Sequence, residues 1–133
     1  MSTRREANRG ESVVVMTADQ LRGMKCKACR GGLPLLTPEE IRQLLPGVLA
    51  WKLTIDARRI SRRWQVADFD AAIDFFNRVA VLAGGEDHHP DLHLVNYRSV
   101  VIEITTHAAG GLTENDFILA AKIDALPQPE LKT

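Results

Sequence analysis

All four histidines of the chain, His88, His89, His93 and His107, fall in one stretch from Glu86 to Asp116 that reads EDHHPDLHLVNYRSVVIEITTHAAGGLTEND. An imidazole with an unperturbed pKa of roughly 6.5 both gives and takes a proton near neutrality, so such a cluster suits general acid/base chemistry. The stretch holds no Ser or Cys in a recognisable nucleophile motif, which argues against acyl transfer through a covalent intermediate. Proton transfer without a nucleophile is the chemistry left. Metal binding by His88, His89, Asp91 and His93 competes for the same residues. Adjacent side chains on an extended chain point to opposite faces, however, and converge only across a sharp turn, so no metal is expected. His93, a lone strand histidine, reads as solvated and is left out of the site.

The elements around these residues must position them. Pro90 forces an extended or turn backbone on His89 and ends any helix arriving from the left, so His88 and His89 sit on a loop that enters a strand. From Ser99 to Thr106 the chain alternates. Val100, Ile102 and Ile104 point one way and Val101, Glu103, Thr105 and His107 the other, which makes His107 the end of a half-buried strand. Chemistry usually lives on loops carried by such rigid elements.

The spacing of His88, His89, Pro90, Tyr97, His107 and Asp116 resembles the signature of the pterin-4a-carbinolamine dehydratases, enzymes that recycle 4a-hydroxytetrahydropterins. The likeness extends to FDAAIDFFNRVAVLA, the Thr-Thr-His triplet, the Gly-Leu-Thr after it and Asp-Phe-Ile-Leu-Ala in the last helix, and it covers roughly Thr37 to Leu126. Two positions depart from the family pattern: Gly84 stands where an acidic residue is usual, and Leu92 where a Trp is usual. The resemblance implies that a 4a-hydroxytetrahydropterin loses water to give a quinonoid dihydropterin. His88 and His107 would transfer protons and His89 would mainly hold substrate, with all three in the catalytic set. Asp87, Thr105, Thr106 and Ala108 would line the pterin site. No metal or organic cofactor is required, and a homodimer or homotetramer is implied. Glu86 is the candidate to replace the missing acidic support of a histidine. Asp116 can give such support or simply cap the last helix. A catalytically impaired pterin-binding or dimerising regulatory protein of the same fold is the alternative, and Gly84 is the residue that raises it.

Read in order, residues 1–32 are polar, Arg-rich and without sustained period, so they read as a flexible arm in which Met16 is a possible start. Cys26 and Cys29 have the spacing of half a zinc knuckle but lack a second pair. They read as free thiols, with a metal site completed by His93 or another subunit, or a redox pair, as the alternatives. The domain is expected over 33–133. Thr37-Pro38-Glu39-Glu40 is a capping box that opens a short helix ending at Pro46-Gly47. Trp51 to Val66 reads as a hairpin turning at Asp56–Arg59. Asp68 caps a long helix with Phe69, Ala72, Ile73, Phe76, Val79, Ala80 and Ala83 inward, closed by Gly84-Gly85 with one glycine left-handed. A second hairpin turns at Asn96-Tyr97, and Thr113 opens a final helix stopped by Pro127. The order helix, hairpin, helix, hairpin, helix implies an α+β fold with a four-stranded antiparallel sheet and helices packed on one face.

Composition bounds the rest. The chain has 133 residues, 45% hydrophobic and 26% charged, which suits one soluble domain. Its 17 basic residues balance 17 acidic ones, which removes the electrostatic case for nucleic acid or an anionic membrane as partner. No apolar run approaches a membrane span or a signal segment, so the expected compartment is the cytoplasm.

Overall fold

The computed structural model describes residues 15–28 and 33–133. Among the described residues are four α-helices and four strands, with short 3₁₀ turns at Leu45–Val48 and His107–Ala109: α1 Ala18–Arg22, α2 Pro38–Leu44, β1 Lys52–Leu53, β2 Ile60–Gln65, α3 Phe69–Glu86, β3 Asp91–Val95, β4 Ser99–Ile104 and α4 Glu114–Asp124. The strands form one antiparallel sheet in the order β1-β2-β4-β3, so the expected α+β class is the one found. Alternation along β4 does what the pattern requires. Val100, Ile102 and Ile104 are fully buried, and with Ile60 and Trp64 of β2 they form the sheet face that the helices cover.

The two hairpins are closed by different turns. Asn96 and Tyr97 both take φ of 53°, the left-handed pair of a two-residue turn, and Asn tolerates that conformation better than most residues. The first hairpin is shorter than its alternation suggests. β1 keeps only Lys52 and Leu53, because Thr54 to Arg59 form a wider turn closed by the Thr54 N–H on the Arg59 carbonyl at 3.0 Å. Arg62, the residue that interrupts the apolar parity of β2, lies over the Trp64 ring at 4.4 Å and pairs with Asp124 of α4 at 2.5 Å. A charge on the covered face is thus satisfied on the spot.

α3 buries Ala72, Phe75, Val79 and Ala83, whereas Phe69, Ile73 and Ala80 face outward and Phe76 is half-buried. The sequence offers two overlapping stripes, and the ring of Phe75 against Trp64, 5.0 Å between centroids, is the contact that selects between them. α4 is buried from Asn115 to Ala121 and again at Ile123, the profile of a helix covered on every side.

One side of α4 is covered by α1, a helix absent from the expected order. Thr17 and Gln20 form a capping box like that of Thr37 and Glu40 on α2, and Leu21 is fully buried in the main core. The part of the expected arm between residues 15 and 28 is therefore packed on the domain. Five residues are too few to show a helical period, so the cap was the one readable signal. The rest of the expected arm, Cys29 included, lies outside the described residues.

Candidate active site

The site is assembled from three chain ends. The first is the C-terminus of α3, which runs through Gly84 and Gly85 to Glu86 and stops at Asp87, whose φ of 53° and ψ of 40° are left-handed. A glycine was expected there; Asp holds the position because its short polar side chain tolerates the conformation. The Asp87 N–H reaches the Gly84 carbonyl at 3.3 Å and the His88 N–H the Ala83 carbonyl at 3.2 Å, a paired helix stop that reverses the chain. The reversal carries His88 inward, where it is 5% exposed. His89 beside it stays exposed, and Pro90 then releases the chain into β3.

The second end follows β4. Thr105 and Thr106 are buried, and the Thr105 hydroxyl donates to the Arg58 carbonyl at 2.6 Å. The chain then turns through His107–Ala109 and Gly110, at φ 78°, so that the Thr106 N–H meets the Gly111 carbonyl at 3.0 Å. His107 therefore sits on a short 3₁₀ turn past the strand rather than at its end, and it is exposed. Gly110 supplies the left-handed residue that lets so tight a loop close.

The third end is the start of α4. Oδ2 of Asp116 accepts from the Thr113 N–H at 2.8 Å and the Thr106 hydroxyl at 2.9 Å, and Oδ1 lies 2.7 Å from Nε2 of His88. Since the Thr106 proton is directed at Asp116, the Thr113 hydroxyl donates to Thr106 Oγ1 across 2.7 Å. Asp116, His88, Thr106 and Thr113 are all buried, so this is an interior network rather than a surface contact. With Oδ2 taken by two donors, the carboxylate orients the imidazole as an acceptor of its Nε2 proton, which leaves the lone pair of a neutral ring on Nδ1. Capping and support, two uses weighed for Asp116, are thus served by its two oxygens.

One cavity of about 170 Å³ is lined by Asp87, His88, His89, Thr105, Thr106, His107 and Ala108. Those are the seven residues singled out as the substrate site. His93 is elsewhere, on the strand β3, where its Nε2 lies 3.6 Å from Glu103 and the side chain is half exposed. Among the described residues no three His, Cys, Asp or Glu side chains converge as a metal site would need. Glu86 does not support His88. Its carboxylate accepts from the Cys26 N–H at 2.9 Å and pairs with Lys122 at 2.7 Å and Lys25 at 3.6 Å, on the flank of α3 that faces α4. Burial opposes its ionised form, but the Cys26 N–H and the two lysines more than offset this and hold the carboxyl below its ordinary value. Gly84 has open space where a side chain would start.

Comparison with known proteins gives the same picture. A pterin-4-alpha-carbinolamine dehydratase of Arabidopsis thaliana, named as mitochondrial, is 49% identical over 80% of this chain, which spans 59% of the plant protein. A protein of Halorhodospira halophila, provisionally named for the same activity, is 46% identical over 76% of this chain and 92% of its own length. The crystal structure of a transcriptional coactivator/pterin dehydratase from Brucella melitensis superposes with a TM-score of 0.62 at 33% identity, covering 68% of this chain and 96% of that one. The family model described as pterin 4 alpha carbinolamine dehydratase matches residues 34–126, inside which every cavity residue falls, and the chain belongs to that family.

Proposed function

We propose that the protein dehydrates a 4a-hydroxytetrahydropterin to the quinonoid dihydropterin, the reaction for which its relatives are named, by proton transfer among cavity histidines. The single observation that carries this is the meeting of His88, His89 and His107 with Thr105 and Thr106 in one small cavity. In the reaction an acid protonates the hydroxyl on C4a, which leaves as water, and a base removes the proton from N5 as the C4a–N5 double bond forms. Protons and electrons balance without a redox cofactor, and each positioned acid or base contributes roughly 10² to 10⁴ in rate. His88 and His107 carry the protons in this scheme. His89 holds substrate beside them, with Asp87 and Ala108 on the rim.

The alternative of an impaired pterin-binding or dimerising protein rested on Gly84. It is weakened by the open space around Gly84 and by the carboxylate that Asp116 brings to His88. Homo-oligomerisation belongs to the same proposal: β1 and β3 end the sheet, and Val95 and Tyr97 are exposed at the β3 edge. Among the described residues no helix is long and apolar enough to cross a membrane; cytoplasmic residence stays an expectation from the sequence.

The deciding experiment is turnover of 4a-hydroxytetrahydropterin generated in situ, followed as appearance of the quinonoid product, with and without chelator. Loss of water clearly faster than in buffer, unchanged by chelator, is expected. A rate equal to buffer ends the dehydratase proposal, and activity that disappears with chelator ends the metal-free one.

A further inference from the structure

Lys25, Cys26 and Lys27 run behind the site and tie two helix ends together. Toward α3, the Lys25 Nζ donates to the Gly85 carbonyl at 2.8 Å and the Cys26 N–H to Glu86 Oε1 at 2.9 Å. Toward α4, the Lys27 N–H donates to Asn115 Oδ1 at 2.9 Å, and Asn115 Nδ2 returns a bond to the Lys27 carbonyl at 2.7 Å. Asn115 is buried, and Glu86 also grips α4 through Lys122 at 2.7 Å. Glu86 lies two residues before His88, and Asn115 one residue before Asp116, the two partners of the 2.7 Å contact at the heart of the site.

We propose that residues 25–27 form a positioning strap that sets the approach of His88 to Asp116, with Glu86 and Asn115 as the positioning residues on the two helices. The proposal rests on the dehydratase reading for its kinetic consequence but not for its geometry. Packing of Leu21 in the core already holds the segment to the domain. The polar bonds add register: an amide that spends a donor and an acceptor on one backbone residue fixes position along the chain as well as contact. Chemistry at the Cys26 sulfur is not what the strap offers. Burial, reinforced by the Glu86 carboxylate, pushes that thiol up to about 12, so its backbone N–H is the useful group.

The test uses the full chain and the substitutions Asn115→Ala, Glu86→Ala and Glu86→Gln. Val66→Ala serves as a destabilised control, since Val66 is buried in the core at the opposite end of β2 from the site. Two quantities are read: kcat/KM for the 4a-hydroxypterin, and the titration of the His88 ring by NMR, assigned by its loss in His88→Gln. Asp116 of α4 bonds that ring, and Asp87, His89 and His107 line the same cavity; all are kept in the three variants, and comparing Glu86→Gln with Glu86→Ala separates loss of the Glu86 charge from loss of its bond to Cys26. Asn115→Ala and Glu86→Ala are expected to lower kcat/KM by about fivefold or more, mainly through kcat, the scale on which small misplacements act. Both should move the His88 titration. Glu86→Gln keeps an acceptor for the Cys26 N–H and should recover most of the loss. Val66→Ala should lower the thermal midpoint and leave the His88 titration alone. A His88 titration that moves no further in Asn115→Ala and Glu86→Ala than in Val66→Ala overturns the strap. If the wild-type chain shows no turnover, the dehydratase proposal fails while the titration still decides this one.

Discussion

His88 and His107 line the same cavity but belong to opposite kinds of structure. His88 is sealed into the interior, one nitrogen fixed on a carboxylate that two further donors hold in place, whereas His107 hangs exposed on a three-residue turn beyond the sheet. A buried, bonded imidazole has its tautomer and orientation decided before substrate arrives. An exposed one keeps the freedom to follow a proton. The difference teaches that the site is half core and half rim, so substitutions in the two halves should separate stability from turnover.

Asp116→Ala should show the largest effect, on both. It removes the acceptor of His88 Nε2 and of the Thr113 N–H in the interior and takes one of the two partners of the Thr106 hydroxyl, and each unsatisfied buried group costs about 1 to 3 kcal/mol. A loss of about 3 kcal/mol or more in denaturant unfolding is expected, with turnover falling too; a loss under about 1 kcal/mol would mean that His88 is not anchored as described.

His107→Ala should do the reverse. Its exposure predicts a stability change within about 0.5 kcal/mol, while kcat/KM falls by roughly tenfold or more. Equal damage to folding would erase the distinction between core and rim.

Gly84, exposed near the end of α3, belongs to neither half. Because it is helical with open space around its Cβ direction, Gly84→Ala is expected to stabilise by about 0.5 to 1 kcal/mol and to leave kcat/KM unchanged. Gly84→Glu should likewise be tolerated, since the left-handed residue that ends α3 is Asp87 and neither glycine. Any marked gain in turnover from Gly84→Glu would restore the missing family carboxylate to importance.

The smallest effect is a pH dependence. The Glu86 carboxyl is held below its ordinary 4.5, so its contribution to stability is fully present above that value and is lost as pH falls through the lower folded-state one. Glu86→Gln should therefore be less stable than wild type at neutrality, with the gap closing below pH 4.5 in a series of thermal melts. A gap that persists at low pH would place its origin outside the Lys122 and Lys25 ion pairs.

Much of this was written locally. Thr37, Asp68 and Thr113 mark helix starts by hydrogen bonds that close within three residues, and the alternation of Val100, Ile102 and Ile104 names the buried face of β4 without any neighbour present. The resemblance to the family named the residues that line the cavity, although Asp87 rather than a glycine ends α3 and His107 lies on a turn past β4 rather than at its end. What the tertiary structure alone decided was every pairing between distant stretches: Asp116 rather than Glu86 beside His88, Phe75 rather than Phe76 against Trp64, residues 25–27 docked on two helix ends. Periodicity and caps are properties of one short segment. Which carboxylate meets which imidazole depends instead on how two helices cross, and that is set by the summed packing of a core to which no single segment holds the key.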